Sequence, residues 1–221
     1  MANLFDILGP TMVGPSSSHT AGACRLGNVA RAILCGTPDR ATIGLHGSFA
    51  MTGEGHGTKK ALIGGLLGFA PDDTRLRDSL EQAEAQHLEV SFETVDLGED
   101  AHPNSARIEA ERAGERTVVI GESIGGGRIR VCSIDGFPVS FSGALPTLVV
   151  LADDVPGTIA GITGVLAERE LNLATMRVDR TGRGERAMTT IELDGVIRDD
   201  IVDALEEQPG VHWIRVVRRL G

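Results

Sequence analysis

A chain of 221 residues with 31 acidic and 21 basic side chains carries a formal charge of −10 and no basic tract, which argues against a nucleic-acid partner. Six Phe, one Trp and no Tyr leave few platforms for base stacking. The length suits one large domain or two ordinary ones, and two is the expectation. Cys24, Cys35 and Cys132 are odd in number and form no CxxC pair, so they read as reduced thiols and not as a disulfide, zinc or cluster framework. The longest apolar run, Leu145 to Ala152, is interrupted by Pro146 and Thr147 and is far shorter than the roughly 20 residues of a membrane span. The opening MANLFDILGP has no basic leader or cleavage pattern, so a cytoplasmic location without a membrane partner is expected.

In chain order, GPSSSHTAG leads into apolar residues at Leu26, Val29, Ala30, Ile33 and Leu34, the stripe of an amphipathic helix that starts near Ser18 to Ala21 and ends near Gly36. ATIGLHGSFA reads as a strand or turn. GEGHGTKKALIGGLLG reads as a glycine-rich loop leading into a second helix, whose own glycines at 64, 65 and 68 work against it. TRLRDSLEQAEAQ predicts a third, charged helix. From Val90 the period becomes two, with turn signals at Ala113–Gly114, Gly125 to Gly127 and Asp135–Gly136, which predicts an antiparallel sheet and an α+β class with helices and strands segregated.

At Pro146 the texture changes. TLVVLADD, GTIAGITGVLAERE, NLATMRVDRT, RAMTTIELDG, DDIVDALEEQ and VHWIRVVRR follow as βαββαβ, the ferredoxin-like arrangement, with a turn at Gly182 to Glu185. The domain boundary is placed at Gly143 to Leu148, giving domains 1–145 and 146–221.

Three stretches carry chemistry: GPSSSHTAG, GEGHGTKKA and HPNSA. Singly, His19 reads as a cap-region residue, His56 as a loop residue and His102, before Pro103, as a turn residue held extended. Together they bring three imidazoles beside small hydroxyl or amide groups and glycines that admit a ligand to the backbone. Ser16, Ser17, Ser18 and Thr20 at a helix start suit a carboxylate or phosphate. An imidazole there suits proton transfer, and His56, between Gly55 and Gly57, is the first choice. Lys59 and Lys60 add positive charge or are solvated. No phosphate-loop spacing, Gly-x-Gly-x-x-Gly order or HExxH occurs.

FDILGPTMVGPSSSHTAG, GHGTKKA, HPN, GESIGGG and the βαββαβ tail, in that order along nearly the whole chain, resemble the beta subunit of the iron-sulfur-dependent L-serine dehydratase, or L-serine ammonia-lyase. The resemblance implies an allosteric-substrate-binding-type α+β first domain followed by an ACT domain. It also implies a partner alpha subunit that holds a 4Fe-4S cluster, conversion of L-serine to pyruvate and ammonia, and no activity from this chain alone. Carried onto this sequence, His56 and His19 are the catalytic residues, with His56 the base, and Ser16, Ser17, Ser18, Thr20, Thr58 and Asn104 bind substrate; no metal ligand is assigned. Two departures are Lys59, where many relatives are expected to be acidic, and Ser105, where Thr is expected. The ACT resemblance points to an amino-acid effector site at Asp154, Val155, Gly157, Asn172 and Leu173, and to a homodimer through this domain, the first domain or both. The rival reading is a non-catalytic amino-acid sensor that regulates a partner enzyme.

Overall fold

The computed structural model describes residues 11–53 and 55–220, so the FDILGP that opens the first motif lies outside the described residues. The chain divides into two compact units, residues 1–135 and 136–221. Each has its own sheet and helices, in keeping with the α+β expectation.

In the first unit the serine-rich stretch forms a wide π-type turn, Ser17–Gly22, that runs straight into α1 (Ala23–Ile33). Extended Ser16 caps it, its Oγ accepting the His19 N–H at 3.3 Å. One-turn π segments of this kind are frequent at functional sites. Leu26, Val29, Ala30 and Ile33 bury the apolar stripe that the spacing predicts.

Next come β1 (Arg40–Leu45), a short helix α2 (Gly47–Thr52), α3 (Thr58–Leu66), a 3₁₀ turn (Thr74–Asp78) and α4 (Ser79–Ala85). Helix α2 lies where a strand or turn was expected to continue, and the charged third helix is split into the 3₁₀ turn and α4. The glycines that count against α3 are its packing surface. A Cβ on Gly65 would lie 2.1 Å from the Cys24 carbonyl oxygen, and one on Gly27 of α1 2.3 Å from that of Leu62, so the two helices cross with their backbones in contact. Tertiary packing here outweighs the roughly 1 kcal/mol helix penalty of each glycine.

The sheet is built from β2 (Glu89–Thr94), β1, β3 (Ser105–Arg112), β4 (Glu115–Gly125) and β5 (Arg128–Ile134), in that spatial order. The strands β1, β3, β4 and β5 pair antiparallel, but β2 lies parallel to β1, with Arg40 opposite Glu89. The purely antiparallel sheet expected from the period-two pattern is therefore corrected, and so is the segregation of helices from strands. The link from β1 to β2 carries three helices, and a crossover of that length delivers the next strand parallel. Ala113 (φ 50°) and Gly114 (φ 87°) turn β3 into β4 as expected, both residues in the left-handed region of a tight hairpin.

The second unit opens with β6 (Phe137–Phe141) and continues β7 (Thr147–Asp153), α5 (Thr158–Glu168), β8 (Leu173–Arg180), β9 (Arg186–Leu193), α6 (Asp199–Glu206) and β10 (Val211–Val217). The last six elements are the βαββαβ series. Their strands order as β10-β7-β9-β8, all antiparallel. Leu148, Val150, Ile162, Leu166, Ile191 and Ile214 sit in its dry core.

Candidate functional site

Four segments of the first unit meet around His19. The ring lies in the π turn and is 8% exposed. Its Nδ1 is 2.7 Å from Oγ1 of Thr58, the fully buried first residue of α3, and its Nε2 is 3.4 Å from Ser48 Oγ on α2. Phe49 meets the ring edge-on, with centroids 5.1 Å apart, and the exposed His56 stands over it at 5.0 Å. Burial first, and then the neighbouring His56, hold the His19 imidazole below the ordinary histidine value.

The third motif joins through the sheet. The Asn104 N–H donates to His102 Nδ1 at 3.1 Å, and Ser105 Oγ donates to the His102 carbonyl at 2.6 Å. The Ser123 N–H donates to the Asn104 carbonyl at 2.9 Å, while its Oγ donates to the Ser18 carbonyl at 2.9 Å. A Cβ on Gly22 would lie 2.0 Å from that Oγ, so only glycine lets the turn close on β4. The HPN loop also reaches α2, whose Phe49 N–H faces the Pro103 carbonyl at 3.3 Å. Ser48, Phe49 and Ser123 are the residues here that the sequence did not single out.

Beside this junction a cleft of about 430 Å³ is lined by Thr20, Gly55, His56, Lys59, Lys60 and Arg77, among others. Lys59 stands over the Phe92 ring at 5.4 Å, and Lys60 Nζ donates to the Arg77 carbonyl at 2.7 Å. Thr20 Oγ1 and Asn104 Oδ1 are buried with no hydrogen-bond partner among the described residues. A buried polar atom left so costs about 1–3 kcal/mol, which a bound ligand can recover. Of the hydroxyl set, Ser16 spends its Oγ on the cap, and Ser18 offers its carbonyl to Ser123.

In the second unit the five candidate effector residues fall on two loops and a strand end. Asp154 carboxylate oxygen accepts from Arg180 at 3.1 Å and from the Gly184 N–H at 3.2 Å, and the backbone donor first, then the guanidinium, holds it below the usual carboxylate range. Val155 is exposed, Gly157 (φ 100°) precedes α5, and Leu173 begins β8. Asn172 Nδ2 donates to Asp194 Oδ2 at 2.7 Å.

The described residues do not fit an iron-sulfur cluster. No three of His, Cys, Asp or Glu gather as a metal-binding group among them. Cys24 donates to the Phe69 carbonyl and burial pushes its thiol up to about 12, while Cys132 is pushed up to about 11 and Cys35 lies exposed. Cluster ligands are thiolates. Among the described residues, no helix is long and apolar enough to cross a membrane.

A cleft lined by His56 in one unit and a βαββαβ sandwich of sheet and helices in the other define a two-part α+β protein. Comparison with known proteins makes this specific. The family model for the serine dehydratase beta chain matches residues 2–132, and that for the ACT domain matches residues 146–210. The chain is 43% identical over 209 residues to the probable L-serine dehydratase, beta chain, of Bacillus subtilis, covering 95% of this chain and 94% of that one. It is 39% identical over 202 residues to the L-serine dehydratase, beta chain, of Peptoniphilus asaccharolyticus, covering 91% of each. A D-3-phosphoglycerate dehydrogenase of Methanocaldococcus jannaschii is 23% identical over 193 residues, 87% of this chain but 36% of that enzyme. The chain belongs to the serine dehydratase beta-chain family and carries an ACT domain in its second half.

Proposed function

We propose that this chain is the beta subunit of an L-serine dehydratase, which with an alpha subunit holding a 4Fe-4S cluster converts L-serine to pyruvate and ammonia. The observation that carries the reading is the His19–His56 pair, 5.0 Å apart on two loops of one unit, with His56 on the wall of the cleft. His56 takes the α-proton of serine. The β-hydroxyl departs with a proton as water, leaving aminoacrylate, whose imine tautomer is hydrolysed to pyruvate and ammonia. Thr20 and Asn104, with their orphaned side-chain oxygens, and the Ser16–Ser18 turn hold the carboxylate and ammonium. The cleft is far larger than one serine, leaving room for the wall that the alpha subunit supplies. Thr58, fully buried on His19, belongs to the same site from behind the ring.

The same reading takes Asp154, Val155, Gly157, Asn172 and Leu173 as an effector site in an ACT domain spanning 146–221. It also places the protein in the cytoplasm as a homodimer paired through this domain, the first domain or both. The test is anaerobic assembly with the alpha subunit. Pyruvate should form from L-serine in the complex and not with this chain alone, and His56→Ala should cut kcat roughly 10²- to 10⁴-fold. Turnover by the lone chain, or a His56→Ala complex at the normal rate, overturns it.

A second reading has one specific observation in its favour: the dehydrogenase match spans both units of this chain yet only a third of that enzyme, so a similar pair of units accompanies a differently named activity. On that reading the cleft senses an amino acid without chemistry. Calorimetry with L-serine on the lone chain separates the two, since tight binding without the alpha subunit, together with an active His56→Ala complex, is what a sensor gives.

A further inference from the structure

The hydroxyl protons around His19 can be counted. Thr52 Oγ1 donates its proton to the Ser48 carbonyl at 2.9 Å. At the 3.3 Å contact between Thr52 and Ser48 hydroxyls, Ser48 is then the donor. With its proton directed there, Ser48 Oγ is the acceptor at His19 Nε2, 3.4 Å away. This arrangement puts the hydrogen on Nε2. A neutral imidazole has one N–H, which leaves Nδ1 bare, and the Thr58 hydroxyl donates to it at 2.7 Å. Thr58 is itself fixed: it is fully buried, and its own N–H is bonded to the Gly53 carbonyl at 2.8 Å. The Phe49 ring packs edge-on against the imidazole.

We propose that Thr58 is the positioning residue of the cleft: by donating to His19 Nδ1 it locks His19 as the neutral Nε2–H tautomer, a hydrogen-bond donor, and so leaves His56 as the proton acceptor. The contacts on the two ring nitrogens differ in strength. At 2.7 Å the Thr58 bond is tight, whereas 3.4 Å is long for Nε2–H, so an oxygen of the substrate can take that proton over from Ser48. In the ground state His19 has no lone pair free to act as a base. His56 is exposed on the cleft wall, and its backbone N–H is tied to the Thr52 carbonyl at 3.3 Å, which leaves its ring to the substrate. The catalytic half of this proposal rests on the dehydratase reading; the tautomer does not.

The closing experiment therefore has two arms. Long-range proton–nitrogen NMR of the full chain without its partner, near pH 7, should show His19 Nδ1 as an unprotonated acceptor and Nε2 as N–H. Thr58→Val should move both nitrogens toward the averaged values of a mixed tautomer, and Thr58→Ser should keep the wild-type pattern. Protonated Nδ1 in the wild type, or an unchanged Thr58→Val spectrum, overturns the lock. If Thr58→Val does not fold by circular dichroism, the wild-type and Thr58→Ser spectra still decide. In the assembled complex Thr58→Val should lower kcat on the order of 10²-fold with KM little changed, as for a misplaced catalytic group, and Thr58→Ser should restore most of it. With the lock seen by NMR, a normal kcat for Thr58→Val overturns the role given to His19, while a normal kcat for His56→Ala as well means that the dehydratase reading is what failed.

Discussion

The cleft of the first unit and the candidate effector loops of the second handle polar groups in opposite ways. Around the cleft His19, Thr20, Thr58 and Ser123 are all buried, and Thr20 Oγ1 and Asn104 Oδ1 have no partner among the described residues. On the effector loops Asp154 and Asn172 are already engaged, by Arg180 with Gly184 and by Asp194, and these contacts are open to solvent. A buried orphan costs stability until something binds it, whereas exposed ion pairs contribute little and exchange readily. A ligand entering the cleft at Thr20 thus gains a bond that the described residues do not supply. A ligand at Asp154 or Asn172 has to displace partners that are already there. Among its described residues the second unit has a comparable orphan, Thr158 Oγ1 in the first turn of α5, which a ligand there could engage.

The contrast is sharpest when each unit is damaged separately. The largest stability effect is expected from Leu166→Ala, which hollows the dry core under the second sheet and should cost about 2–5 kcal/mol. Hydrogen exchange should then show protection lost along β7 and β9 while the His19 junction keeps its own. Gly65→Ala is the counterpart in the first unit. Its new methyl meets the Cys24 carbonyl, a backbone group that cannot swing aside, and overpacking of this kind typically costs about 1–3 kcal/mol. Because α3 carries Thr58 and α1 follows the turn that carries His19, the expected signature is a disturbed His19 NMR signal with the second unit intact. A Gly65→Ala protein of unchanged stability and unchanged His19 signal would mean that the helix crossing does not set the site.

Much of this was legible in the sequence because hydrophobic period and glycine placement are local. The α1 stripe, the Ala113–Gly114 hairpin and the βαββαβ series all follow from short-range patterns. The parallel pairing of β2 was not, since a half-exposed edge strand shows the same period two whichever way its neighbour runs, and only the helical crossover decides. Ser48 hid in a stretch whose apolar spacing, Phe49 and Met51, fits a strand, though six residues of it form α2. Ser123 did leave a signal. Thr117, Val119, Gly121 and Ser123 share the buried face of β4, and Ser and Gly at core-facing positions announce a close approach, here by the Gly22 turn and by Leu26.

Removing that signal is a smaller perturbation. Ser123→Ala should leave the Ser18 carbonyl without its donor and cost about 1–3 kcal/mol, confined to the first unit, as read by chemical denaturation. In the complex it should also weaken turnover through displacement of the serine turn. Loss of stability without loss of turnover would show that the β4 contact holds the turn only structurally.

The smallest expected effect is a pH dependence, and the pH window in which it falls singles out His19. His19 has its folded value below the free histidine value of about 6.5, because burial and then His56 disfavour the imidazolium. At pH above about 6.5 the ring is neutral whether the chain is folded or not, and its contribution is fully present. As pH falls below that value the unfolded chain takes up a proton that the folded ring refuses, so stability declines until the folded value is reached. The carboxylates with lowered values, Glu109, Asp154 and Asp200 among them, act in the same direction but only near and below pH 4. Of the displaced groups named here, His19 is the one whose change falls between pH 7.5 and 5, the window to follow by denaturation. His19→Gln should flatten the decline in that window, and hydrogen exchange should locate the softened amides in the π turn, α1 and α3. A decline that persists unchanged in His19→Gln would assign the window to another group and remove the neutral His19 from the account of the cleft.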